Sequence, residues 1–212
     1  MHDHCHSTCH DACHGPADRA ASPAYRRVLW VALWVNLAMF VVEVVAGLQS
    51  GSVSLLADAV DFFGDAANYG VSLAVLGMAA AWRARAALVK GLSMGAFGVF
   101  VVAKAAWVAH SGAVPEPLTM GLVGLLALAA NLGVAALLYA WREGDANMRS
   151  VWLCTRNDAI GNLAVLAAAL GVFGTGSAWP DLAVALVMGV LALSAARSVL
   201  TQARAELRPQ AA

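Results

Sequence analysis

From Val28 to Leu200 the chain is a succession of apolar runs broken by short polar punctuation. A helix of about 20 apolar residues is long enough to cross a bilayer core. Six such runs can be read: Val28–Leu48, Val53–Ala81, Leu88–Ala109, Leu118–Ala140, Val151–Phe173 and Asp181–Leu200. The breaks carry turn-forming residues. Gln49-Ser50-Gly51-Ser52 separates the first two runs, Pro115-Glu116-Pro117 stops the third, and Gly174-Thr175-Gly176-Ser177 with Pro180 separates the last two. The second run is long enough to tilt or to pass the membrane surface. The pattern predicts an all-α membrane protein, with six transmembrane helices in 24–203. A polar tail at 1–23 precedes them and a short tail at 204–212 follows.

Composition supports the membrane assignment. The chain is 61% hydrophobic and 12% charged, against about 45–50% and about 25% for a soluble domain, so a soluble core is excluded. The net charge of zero is uninformative, but the placement of charge is not, and nothing in it points to nucleic acid. Arg19, Arg26 and Arg27 precede the first run. Arg83, Arg85 and Lys90 lie around the second break, Arg142 and Arg149 lie between the fourth and fifth runs, and Arg197, Arg204 and Arg208 lie at the end. The three alternate loops carry no Lys or Arg. Positive charge marks the cytoplasmic side, so both termini are expected there, with the chain multi-pass in the inner membrane of a bacterium. Met1 to Pro23 lacks the apolar segment of a secretory signal and is read as a cytosolic tail.

Charge inside the runs is the informative exception. An Asp at the centre of a membrane helix costs about 2.5–3.5 kcal/mol on insertion scales. The second run carries Asp58, Asp61 and Asp65; the fifth carries Cys154, Asp158 and Asn162 a turn apart; the first carries Asn36 and Glu43. Residues four apart share a helix face, which pairs Asp61 with Asp65 and Cys154 with Asp158. Asp58 is placed off the Asp61–Asp65 face and reads as a helix-packing residue or, with Asn36, Glu43, Asn157 and Asn162, as an accessory to the Asp61–Asp65 group. At about 1.5 Å per residue, Asp61 and Asp65 lie roughly 12–18 Å from the outer side and Cys154 and Asp158 roughly 5–11 Å from the cytoplasmic side. In a core about 30 Å thick the two pairs approach one level. Carboxylates gathered there repel unless protonated or bound to a cation. A divalent ion and protons are the two ways out of that conflict, and a metal/proton exchanger alternates between them.

At these residues the chain resembles the cation diffusion facilitator family. The stretch Ser54-Leu55-Leu56-Ala57-Asp58-Ala59-Val60-Asp61-Phe62-Phe63-Gly64-Asp65 is similar to the family's second-helix pattern, a ligand followed four residues later by Asp. Asn36, Glu43 and Gly47 resemble its first helix, Asn157-Asp158-Ala159-Ile160-Gly161-Asn162 its fifth, and Pro180-Asp181-Leu182 the start of its sixth. The resemblance implies a six-helix exporter of zinc, cobalt, cadmium or similar divalent ions in exchange for protons. The metal is substrate, and no cofactor is implied. Carried over by position, the tetrahedral site comprises Asp61, Asp65, Cys154 and Asp158. The family often has His at the first place of each pair, where this chain has Asp61 and Cys154, and Asn157 or Asn162 could replace Cys154 as an oxygen ligand. The family's cytosolic C-terminal domain, which helps its members dimerise, is not seen in this sequence; a homodimer remains an expectation.

The polar tail reads His2-Asp3-His4-Cys5-His6-Ser7-Thr8-Cys9-His10-Asp11-Ala12-Cys13-His14, with a Cys-His pair every four residues. Imidazole and thiolate together suit zinc, cadmium, cobalt or copper. His2, His4, Cys5, His6, Cys9, His10, Cys13 and His14 are therefore read as an accessory metal-binding segment. The alternative to transport is a membrane metal-binding or sensor protein that holds metal without moving it. An enzyme is disfavoured, because no HExxH motif and no nucleophile with a paired base is present.

Overall fold

The computed structural model describes residues 22–74, 80–141 and 146–207 and, within them, all side chains except those of 80–83, 146–154, 156 and 206. Six long helices account for nearly all of these residues. They are α1 (Pro23–Ser50), α2 (Val53–Ala74), α3 (Ala80–Ser111), α4 (Pro117–Leu138), α5 (Ala146–Thr175) and α6 (Trp179–Leu207), with a 3₁₀ turn at Tyr139–Trp141. Local chemistry sets several of their ends. The Ser22 side chain accepts from Tyr25 N at 3.2 Å and Pro23 opens α1, while Gly51, at φ 76°, ends it in the left-handed conformation that glycine adopts without strain. Glu116 caps α4 through Leu118 N and Thr119 N, and Pro117 takes the first helical position.

Helices outrun the apolar runs at several ends. Gln49 and Ser50 belong to α1 rather than to a loop, and α3 begins at Ala80 rather than Leu88. The fifth helix opens at Ala146, and α6 continues to Leu207 through Arg204, past the expected boundary at 203. Hydropathy marks only where lipid contact ends. The hydrogen-bond ladder continues beyond it until a glycine or proline stops it. The second run was expected to reach Ala81; α2 is described to Ala74, and 75–79 lie outside the described residues, as does the tail with its His and Cys residues.

Five helices, α1, α3, α4, α5 and α6, hold segments long and apolar enough to cross a membrane. The other, α2, carries three aspartates in its 22 residues and is not among them. The bundle is arranged for an apolar surround. Leu170 and Phe173 are 73% and 79% exposed, whereas Glu43 and Asp181 are 0% exposed, the inverse of a soluble protein.

The helices pair as α1 with α2, α3 with α6 and α4 with α5, and α2 also packs against α3, α5 and α6. That gives the most acidic helix the most protein neighbours. On α3, Gly91 and Gly98 bring the backbone so close to α6 that an added Cβ would lie 2.9 Å from Leu200 and Leu193, and Gly95 faces Ala196. This is the close packing expected of small residues between membrane helices.

Candidate metal centre

Seven helical residues turn through about 700°, two turns less about 20°. Asp58 and Asp65 therefore lie on one stripe of α2, with Asp61 between them and slightly to one side. The expectation that Asp58 lies off the face of the other two is thereby corrected. All three carboxyls follow the side of α2 turned towards α1 and α5, in two rungs.

The deeper rung joins Asp65 to α5. Asp65 is buried, and its carboxyl meets that of Asp158. Tyr69, one turn further along α2, donates its hydroxyl to Asp65 Oδ2 at 3.0 Å. Thr155 of α5 lies 2.6 Å from the same hydroxyl and 3.5 Å from Asp65 Oδ2. Asp158 Oδ2 is buried with no hydrogen-bond partner among the described residues. Lys90 of α3 donates to Asn68 and lies within Coulombic range of Asp65. Two carboxyls in contact away from water cannot both stay ionised unless a cation lies between them; otherwise one takes up a proton. With one from α2 and one from α5, such an ion would tie the two helices together.

The other rung lies nearer the turn between α1 and α2. Asp58 Oδ2 accepts from Asn162 Nδ2 at 2.6 Å, and Asn162 Oδ1 accepts from Asn131 Nδ2 of α4 at 2.9 Å. Glu43 of α1 places its carboxyl against Asp58, and both Glu43 oxygens lack a hydrogen-bond partner among the described residues.

Of the four expected ligands, the structure brings Asp65 and Asp158 together. Asp61 is half-buried and within Coulombic range of both. The Cys154 side chain lies outside the described residues, as do His2, His4, Cys5, His6, Cys9, His10, Cys13 and His14. Among the described residues, no three His, Cys, Asp or Glu side chains lie close enough together to hold one ion. Of the accessory residues, Glu43 and Asp58 meet and Asn162 is committed to Asp58. Asn157 is exposed, and Asn36 donates to its own helix at Ala32 O, 2.8 Å away.

Three partners, Tyr69, Thr155 and Asn131, were missed in the sequence, and Asp181 was noted there without its role. Tyr69 and Thr155 are ordinary helix residues until α2 meets α5. Asn131 had a signal, a lone amide in an otherwise apolar run. Asp181 is completely buried at the start of α6 and accepts from Ser52 Oγ at 2.7 Å, Val53 N at 2.8 Å and Ser54 N at 3.0 Å. It satisfies the first N–H groups of α2 from another helix, and so sets the height at which Asp58, Asp61 and Asp65 stand.

Comparison with known proteins places the chain among metal-transport relatives. The chain is 25% identical over 179 residues to the metal cation efflux system protein CzcD of Cupriavidus metallidurans, an alignment covering 79% of this chain and 57% of that protein. It is 21% identical over 184 residues to the cadmium, cobalt and zinc/H(+)-K(+) antiporter of Bacillus velezensis, covering 79% of this chain and 58% of the relative. The chain thus spans somewhat over half the length of these curated relatives. The family described as the cation efflux transmembrane domain matches residues 29–207, from the first turns of α1 to the last residue of α6. An apolar multi-helix bundle with carboxylates in its core, matched over almost its whole helical length, is an integral multi-pass membrane protein that belongs to the cation efflux transmembrane domain family, a family of transporters and not of enzymes.

Proposed function

We propose that the chain exports divalent transition-metal ions of the zinc, cobalt and cadmium class from the cytoplasm in exchange for protons. The carrying observation is the meeting of Asp65 from α2 with Asp158 from α5 inside the bundle. Asp61 and Cys154 complete the seat when the ion draws them in, replacing its hydration shell with anionic ligands from two helices. Borderline ions accept carboxylate and thiolate together. When the metal leaves, protons neutralise the same carboxyls, and this alternation couples metal export to proton entry.

In this reading α2 is the sixth membrane span, its aspartates shielded from lipid by the helices around it. Both termini face the cytoplasm and the α1–α2 turn lies on the outer side of a bacterial inner membrane, a reading supported by the lysine and arginine distribution. The His/Cys tail gathers cytosolic metal for the seat. A homodimer in the lipid membrane is the working assembly. The metals and protons named for the two relatives support the substrate class.

The test is transport by the full chain in proteoliposomes loaded with a zinc-sensitive dye. An imposed proton gradient should drive zinc movement against the proton flow, and a protonophore should abolish it. Zinc binding without gradient-dependent flux would instead mark a metal-holding membrane protein.

A further inference from the structure

The deep carboxyls do not exhaust the buried charge of the bundle. Glu43 is 0% exposed, neither of its carboxylate oxygens has a hydrogen-bond partner among the described residues, and it lies against Asp58. On the other side of Asp58 the bonds form a directional run. Asn131 Nδ2 donates to Asn162 Oδ1, and Asn162 Nδ2 donates to Asp58 Oδ2. Because Asn131 occupies the oxygen of Asn162, the amide nitrogen is the end that faces Asp58. Asn162 thereby holds Asp58 as an acceptor. Among the described residues no donor is left for Glu43. Two ionised carboxylates in contact away from water are each costly, and the amides relieve only one of them. A single proton on Glu43 completes the run, its hydroxyl donating to Asp58 while Asp58 keeps the bond from Asn162.

We propose that Glu43 and Asp58 form a proton-binding pair, distinct from the Asp65–Asp158 metal seat and placed between that seat and the end of the bundle where α1 turns into α2. Glu43 stands seven residues before Ser50 and Asp58 five after Val53, roughly 8–11 Å in from that end. The titratable groups within Coulombic range of the pair are Asp61 on its own helix and Asp158 on α5. From α4 and α5 the neutral amides Asn131 and Asn162 face it. Beyond Asp58 the carboxyls of Asp61, Asp65 and Asp158 follow towards the metal seat. As metal leaves, the Glu43 proton passes to an ionised carboxylate among these, leaving Glu43 charged, and water at the outer end returns a proton to Glu43. The hand-over rests on the exchange reading above; the binding of the proton does not.

Infrared spectroscopy of the full chain in lipid nanodiscs tests the two separately. In the Asp61→Asn/Asp65→Asn/Asp158→Asn protein, which lacks the other carboxyls of this run, a protonated carboxyl C=O band should remain at neutral pH and vanish on Glu43→Gln. The glutamine amide can donate to Asp58 in place of the proton, so this variant should stay folded, with its melting temperature retained. Asp58→Asn should shift the band rather than remove it, because Glu43 keeps its proton while the acceptor changes from carboxylate to amide. Absence of the band, or its persistence in Glu43→Gln, overturns the proposal. In the otherwise unchanged protein, Glu43→Gln should lower the number of protons moved per zinc; an unaltered ratio overturns the hand-over. Loss of zinc flux in the unaltered protein would instead refute the exchange reading, with the band result standing.

Discussion

At the scale of single residues, the deep rung is held by hydrogen bonds that the proposed metal would displace. Tyr69 donates to Asp65 and lies against Thr155 with all three groups buried. Removing the hydroxyl leaves buried polar atoms unsatisfied, at about 1–3 kcal/mol. Tyr69→Phe should therefore melt earlier without metal. It should also bind zinc more tightly, by up to about tenfold, because Asp65 no longer gives up that bond. Isothermal titration on purified protein measures this, and weaker binding would mean that Tyr69 instead holds Asp65 in its ligating position. Cys154 is the second informative residue. Thiolate favours soft ions and carboxylate does not, so Cys154→Ser should reduce cadmium and zinc transport more than cobalt or manganese. Equal effects on the four metals would make it a packing residue. The pairing of Asp65 with Asp158 was legible from two acidic helices at compatible depths. The place of Asp58 was legible too, from its spacing of seven to Asp65, but the four-residue pairing drew attention away from it. Tyr69 and Thr155 were not legible, since nothing local marks a hydroxyl that finds its partner on a helix 86 residues away.

At the scale of elements, the acidic helix is fixed by its neighbours. Asp181 accepts three hydrogen bonds from Ser52, Val53 and Ser54. Asp181→Ala leaves those buried donors unpaired and should cost on the order of 3 kcal/mol, with Asp181→Asn milder. Unfolding in detergent with increasing denaturant checks the order; equal stability would mean that α2 is not held from α6. The start of α4 depends on Glu116, whose carboxyl is held below the usual glutamate range by hydrogen bonds from the Thr119 side chain first, then from the Thr119 and Leu118 backbone. A depressed carboxyl stabilises above its unfolded value and loses that contribution as pH falls through the folded one. The difference in melting temperature between the wild type and Glu116→Gln should therefore be present at neutral pH and close as the solution is acidified below the ordinary glutamate value. A constant difference would contradict the cap. Apolar runs and their Gly, Ser and Pro breaks marked where the helices are. They did not mark the extra turns of α3, α5 and α6, because beyond the lipid boundary hydropathy stops reporting while the backbone ladder continues.

For the whole molecule, the bundle inverts the soluble arrangement, with leucine and phenylalanine outside and carboxyls inside. The arrangement is suited to a protein that must offer a charged ion a path through lipid. The proposed function has α2 and α5 jointly seat the transported metal. Composition and the positions of the acidic residues made the inward placement of the carboxyls readable in outline. The division of the carboxyls into two rungs, with amides from α4 and α5 on one and hydroxyls from α2 and α5 on the other, came only from how the helices pack. Proton-gradient-driven zinc flux in proteoliposomes containing Asp65→Ala or Asp158→Ala is the most direct measurement. Each substitution, in folded protein, should abolish flux at saturating zinc, and full transport by either variant would contradict the account.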